Sequence, residues 1–313
     1  MNEQQPVARR RFLQLIGAGA ITLFTLNPLS LFAQKNADYV TQLELIDGIK
    51  NYCRKKLGMQ LGSHFYTNWE MSEGLLYYVY VSKSDEVRVP EGVDQFLYFG
   101  TNVRAARQFS DSYEAKGFHT LVYRTAGTSA TLLNKTLMSY PMDAIAVIVF
   151  HEALHVHLRI NRRTIPLSIE EAAADVLAKY ISIDYRKIED KINRRKLNRT
   201  LKTMERIYKV VNTNSEKLSK EGKEQELIFN KSYKKIKKIL RKSNIYQKNR
   251  FSYPVNNAFF IRNNYYSKYY FELKQLYKRL DESPTRIIKC VANIPEELDE
   301  ALSRIRAKNN ERA

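Results

Sequence analysis

Six apolar residues, Ile145 to Phe150, run straight into His151-Glu152-Ala153-Leu154-His155, and that join limits what the chain can fold into more than any other feature. A helix that is apolar nearly all round is a buried helix, so its polar continuation must find partners in the interior or carry a large desolvation cost. Histidines four residues apart stand on one face, one turn above the other. Both imidazoles can then reach a single Zn²⁺ at about 2.0–2.1 Å. Glu152 projects beside them toward the side of the ion they leave open. A carboxylate there can take a proton from water and return it to a leaving amine. The competing reading is that these three side chains merely pack or pair on a helix.

Two imidazoles do not complete a catalytic zinc site, so a third ligand has to come from elsewhere. Downstream lies Ile169-Glu170-Glu171-Ala172-Ala173-Ala174-Asp175, where carboxylates sit among alanines on an expected helix. Glu171 and Asp175 are four apart and share a face. That spacing selects Glu171 as the third ligand and Asp175 as acceptor for the free imidazole N–H of His151. Glu170 is the alternative ligand, separated from Glu171 only by the spacing to Asp175. Alanines at 172 to 174 would let two helices approach closely. His157 points about 200° away from His155 and is read as a flank residue; His64 and His119, in strand-like runs, are read as structural.

Around these helices the pattern is α+β. Val40, Leu43, Leu45, Ile46 and Ile49 give a helix from Tyr39 to Leu57, stopped by Gly58. Short aromatic and β-branched runs at His64 to Trp69, Leu75 to Val81 and Gln95 to Phe99 read as antiparallel strands. A helix over Asn102 to Ala115 ends at Gly117, a strand covers Phe118 to Arg124, and 126–130 is small and polar. Pro141 opens the apolar helix, and another spans Ser168 to Tyr185. Beyond it the chain is helical, with breaks expected at Asn212 to Ser215 and Ser252 to Val255, an aromatic stretch from Asn256 to Leu280, and a closing helix after Pro295.

Charge is concentrated in one block. Between Arg186 and Arg250 stand 22 Lys and Arg against 7 Asp and Glu, which is most of the net +19. The basic residues fall at helical spacing among Ile, Leu and Tyr, so a solvated helix face is the default, with an anionic surface as the other reading. A nucleic acid is not the expected partner. Cys53 and Cys290 have no metal or redox spacing, which excludes a cysteine-built site.

The first 33 residues read as an address. Arg9-Arg10-Arg11-Phe12-Leu13-Gln14 resembles the twin-arginine export pattern, followed by an apolar stretch and Ala33. The expectation is an exported, periplasmic or extracytoplasmic protein. Because Leu31 suits cleavage poorly and Phe12 to Ala33 is just long enough to span a bilayer, an uncleaved anchor stands beside cleavage. No later run reaches membrane length.

Taken together, these features resemble a family of bacterial zincins named as aminopeptidases after the His-Glu-x-x-His motif. The resemblance is carried by Tyr98-Phe99, the helix with Ala105, Ala106 and Phe109, the Gly117-Phe118 junction, Thr136 with Pro141, the metal motif, Glu171, and Pro254-Val255-Asn256-Asn257-Ala258 with Tyr266 after it. It implies a glutamate-zincin fold with an active-site helix beneath a small sheet whose edge strand pairs with a bound peptide. It implies zinc on His151, His155 and Glu171, and Glu152 as the base. Tyr266 is implied to hydrogen-bond the oxyanion, against a plain core role in a Tyr-rich helix. Asn256 and Asn257 either cap the helix they precede or bind a substrate terminus. The loop before Glu171 is longer, and 127–134 shorter, than the family pattern. The expected organisation is a signal at 1–33, a zincin-like catalytic core at 34–185, a basic helical region at 186–250, and a helical region at 251–313 completing the cleft.

Overall fold

The computed structural model describes residues 39–69, 76–83, 96–100, 102–125, 132–185, 187, 194–220, 225–243 and 255–310. The segment read as an export signal, the stretch at 126–130 and most of the break expected at 252–255 lie outside these residues.

Helix α1, Tyr39–Lys55, turns Leu45, Ile46, Ile49 and Cys53 inward. Past it, Gly58 adopts φ +66°, and after α2 (Val103–Glu114) Gly117 adopts φ +82°. Both are left-handed positions that glycine occupies without a Cβ penalty, and both end a helix.

The strands β1 (Asn68–Trp69), β2 (Leu76–Lys83), β3 (Phe96–Tyr98), β4 (Phe118–Thr125) and β5 (Leu132–Leu133) form two small sheets. In the larger, β2 lies between β3 and β4, antiparallel to both. Alternation divides its faces: Tyr78, Tyr80, Leu121 and Tyr123 join the main core, while Val79 and Val81 meet Ala106 of α2. The run His64 to Trp69 departs from expectation. Residues 63–67 form a turn, with Tyr66 at φ +49°, and only β1 is extended, paired parallel to β5. His64 is exposed in that turn. Turn geometry at Tyr66 overrides the β propensity of the aromatic run.

After α3 (Lys135–Met138) come α4 (Met142–Ile160) and α5 (Leu167–Tyr185), which pack against each other. Each buries residues around its whole circumference, Ile145, Val149 and Leu154 on one, Ile169, Val176 and Leu177 on the other. Each such side chain stabilises the fold by about 1.5–3 kcal/mol, enough to offset some polar burial in the same helices. Ala172, Ala173 and Ala174 are fully buried.

Next are α6 (Arg194–Lys220), α7 (Gln225–Ser243), α8 (Asn257–Ser267), α9 (Tyr270–Arg279), α10 (Pro284–Val291) and α11 (Leu298–Asn310). The break expected at Asn212 to Ser215 does not occur, since α6 runs through it. Asn and Ser weaken helices by hydrogen-bonding nearby backbone. Here Asn212 is engaged across the core instead, donating from Nδ2 to the Ser267 carbonyl at 2.6 Å and accepting from Ser267 Oγ. Helix α5 is the hub, touching α4, α6, α8, α9 and α10. Cys53 and Cys290 are not joined in a disulfide. Among the described residues no helix is long and apolar enough to cross a membrane.

Candidate metal centre

The site forms where α4 and α5 cross. His151 and His155 are one turn apart on α4, and Glu171 comes from the first half of α5. The two Nε2 atoms are 3.1 Å apart, and Glu171 Oε2 lies 3.3 Å from that of His151 and 3.6 Å from that of His155. One ligand atom from each of the three residues thus converges on a common point, fully inside the protein, and the group can hold a metal ion.

Each imidazole is also gripped from behind. His151 Nδ1 is 3.0 Å from Asp175 Oδ1, a close polar contact that is not well aligned as a hydrogen bond. His155 Nδ1 is 2.6 Å from Glu170 Oε1. The consecutive glutamates therefore take separate places, Glu171 in the cluster and Glu170 behind His155. Asp175 receives the Tyr208 hydroxyl on its other oxygen. That contact comes from α6.

Charge in this pocket follows from burial and pairing. Burial opposes a charged His151, but Asp175 and Glu171 outweigh it and raise the metal-free imidazole to about 9. His155 is likewise raised despite burial, chiefly by Glu171 and Glu170. Burial pushes Glu171 up, yet the two histidines hold its carboxyl below the ordinary range. Glu152 is different: burial dominates and lifts it to about 7, with the histidines pulling the other way. Its side chain is wholly buried, and neither oxygen has a hydrogen-bond partner among the described residues. The same holds for both oxygens of Glu171. Orphaned buried carboxylates are expensive. Glu171 Oε2 faces the two Nε2 atoms and Glu152 lies within electrostatic reach of both histidines, a charge arrangement that a cation would compensate, so the residues present fit a metal ion.

Tyr266 is buried on α8, within electrostatic reach of Glu171 and Asp175, with the Arg262 guanidinium 5.1 Å from its ring centroid. Asn256 and Asn257 have structural duties. Asn256 caps α8 by accepting from Phe259 N at 3.1 Å and donates to Thr120 O on β4. Asn257 donates to Lys83 O on β2 and, from its backbone, to His119 Nδ1. His157 accepts from the Gln60 backbone at 2.9 Å, away from the cluster.

Three residues near the site were missed in the sequence. Tyr66 is buried within electrostatic reach of Glu152, and its hydroxyl has no partner among the described residues. Arg262 lies between the rings of Tyr123 and Tyr266. Tyr208 stands in the Lys-rich block. Only the left-handed turn at Tyr66 breaks a local rule, and no motif in the sequence announces it.

Compared with known proteins, the chain matches no family model, no curated protein and no solved structure. The site stands on its own geometry.

Proposed function

We propose that this chain is a zinc-dependent peptidase of the zincin type, and that the crossing of α4 and α5 is its active site. The observation that carries the reading is the triangle of ligand atoms with edges of 3.1, 3.3 and 3.6 Å beside an unpartnered buried acid. Tetrahedral ligands at about 2.0–2.1 Å from zinc lie about 3.3–3.4 Å from one another. Imidazole donors disfavour Ca²⁺ and Mg²⁺, which take oxygen. The same donor set suits Fe²⁺ in oxygenases. Glu152 favours hydrolysis, because a buried carboxyl next to the ligand cluster can take a proton from water and give it up again.

Bound there, zinc would polarise a scissile carbonyl and lower the pKa of the attacking water. Glu152 takes the proton from that water and delivers it to the departing amine. Glu170 and Asp175 fix the two imidazoles so that each presents Nε2 to the ion. Tyr266 is the candidate donor to the developing oxyanion. The resemblance to aminopeptidase-type zincins supports a peptide substrate, and the twin-arginine-like segment supports action outside the cytoplasm. Replacing Glu152 by Gln tests this: peptide hydrolysis should fall at least about 100-fold while zinc content is unchanged. Parallel assays with free-amine and N-blocked peptides decide whether a free amino terminus is required.

A second reading rests on the exposed faces of α6 and α7, where Lys202, Arg206, Lys209, Lys234, Lys238 and Arg241 all meet solvent. On this reading the chain is a non-catalytic binder of an anionic surface in the cell envelope, built on the same scaffold. It wins if anionic-surface binding is measurable, hydrolysis is not, and Glu152→Gln changes nothing.

A further inference from the structure

We infer that Tyr208, on the basic helix α6, is a positioning residue for the metal site, acting through Asp175 on His151. The inference rests on the metal reading above, and its geometry is continuous. His151 presents Nε2 to the cluster and Nδ1 to Asp175 Oδ1 at 3.0 Å. The other oxygen, Asp175 Oδ2, accepts the hydroxyl of Tyr208. Tyr208 is fully buried, and Asp175 nearly so. Water is therefore not at hand to take the hydroxyl's place.

The chemistry needs this arrangement. An imidazole that gives Nε2 to a metal carries its proton on Nδ1 and needs an acceptor there. A carboxylate can serve only while its plane is held, because rotation about the Cβ–Cγ bond carries Oδ1 off the imidazole. The His151 imidazole touches Oδ1 without a well-aligned hydrogen bond, so the Tyr208 hydroxyl on Oδ2 is what fixes that plane.

The contact belongs to a wider clamp. One turn along α5 from Asp175, Lys179 pairs with Glu205 of α6, which lies three residues before Tyr208. Glu205 also accepts from Tyr270 at 3.0 Å and Lys274 at 2.7 Å on α9. Helix α6 thus grips α5 at 175 and 179, the same face that turns Glu171 to the histidines. The buried side of the Lys-rich block thereby acquires a role that its charge does not reveal.

The test is zinc affinity by chelator competition, with Tyr52→Phe as control, since the Tyr52 hydroxyl donates to Asp184 at 2.9 Å in the last turn of α5, away from the cluster. Tyr208→Phe should weaken zinc about tenfold or more, and Tyr52→Phe should leave it within about twofold of wild type. In an Asp175→Ala background, Tyr208→Phe should have no further effect, because its route to the metal is gone. If Tyr208→Phe does not fold, amide exchange in wild type decides: zinc should slow exchange around Tyr208 on α6. Wild-type zinc affinity in Tyr208→Phe, additive losses in the double variant, or exchange on α6 indifferent to zinc would each overturn the inference. Failure of wild type to bind zinc would instead overturn the metal reading itself.

Discussion

Glu170 holds His155 from behind the His151, His155 and Glu171 cluster, its Oε1 2.6 Å from the imidazole Nδ1. Its neighbour Glu171 faces Nε2 of the same ring. The pair predicts a graded response to neutral substitutions. Glu171→Gln should lower zinc affinity by more than about 100-fold, and Glu170→Gln by about 10–100-fold, as for other groups that orient a ligand. Competition with a zinc chelator measures both. Equal losses would contradict these separate roles, and a larger loss at Glu170 would mean that the two glutamates have been assigned the wrong way round.

Much of this centre is legible in the sequence because it is written in helical spacing. His151 with His155, and Glu171 with Asp175, are both four-residue pairs, and periodicity alone places each on one face. The choice between Glu170 and Glu171 is weaker, hanging on Asp175. Other parts are set by contacts that spacing cannot encode. Tyr208 looks like one more core aromatic until α6 docks on α5. Asn212 to Ser215 read as a break because Ser267, the partner of Asn212, is 55 residues away. The parallel pairing of Asn68–Trp69 with Leu132–Leu133 joins segments too short to signal themselves.

Proton balance gives a prediction about pH. In the metal-free protein His151 sits at about 9, above its ordinary 6.5, so its protonation stabilises the fold fully below about 6.5 and is lost as pH rises through about 9. Glu152, lifted from 4.5 to about 7, works in the same direction over that lower range. Metal-free protein should therefore lose thermal stability between pH 7 and 9.5. Zinc needs neutral imidazoles, so its binding at pH 7 should release at least one proton per ion. Calorimetry in buffers of different ionisation enthalpy reads that number, and zero release would contradict the account.

Gly48 on α1 faces the end of α5, and a Cβ there would collide with the Tyr185 hydroxyl. Tyr185 has little room to retreat, since it packs edge-on against both Tyr52 and Phe150. Gly48→Ala should cost about 1–3 kcal/mol of stability, although alanine is the better helix former. Adding Tyr185→Phe should restore part of the loss. Urea denaturation of the single and double variants checks both.

Cys53 is wholly buried, and burial pushes its thiol far above the ordinary range. In a Cys290→Ser variant, a thiol reagent should therefore modify Cys53 only at the rate of unfolding. Rapid labelling of the native protein would show that α1 opens independently of the core.

The most direct measurement is metal content of the purified protein, taken for wild type, His155→Ala and Glu171→Gln. Three side chains converging on one ion predict about one zinc per wild-type chain, and little or none in either variant. Wild-type protein that holds no zinc when zinc is supplied, that carries iron in its place, or that keeps zinc without Glu171 would contradict the proposal.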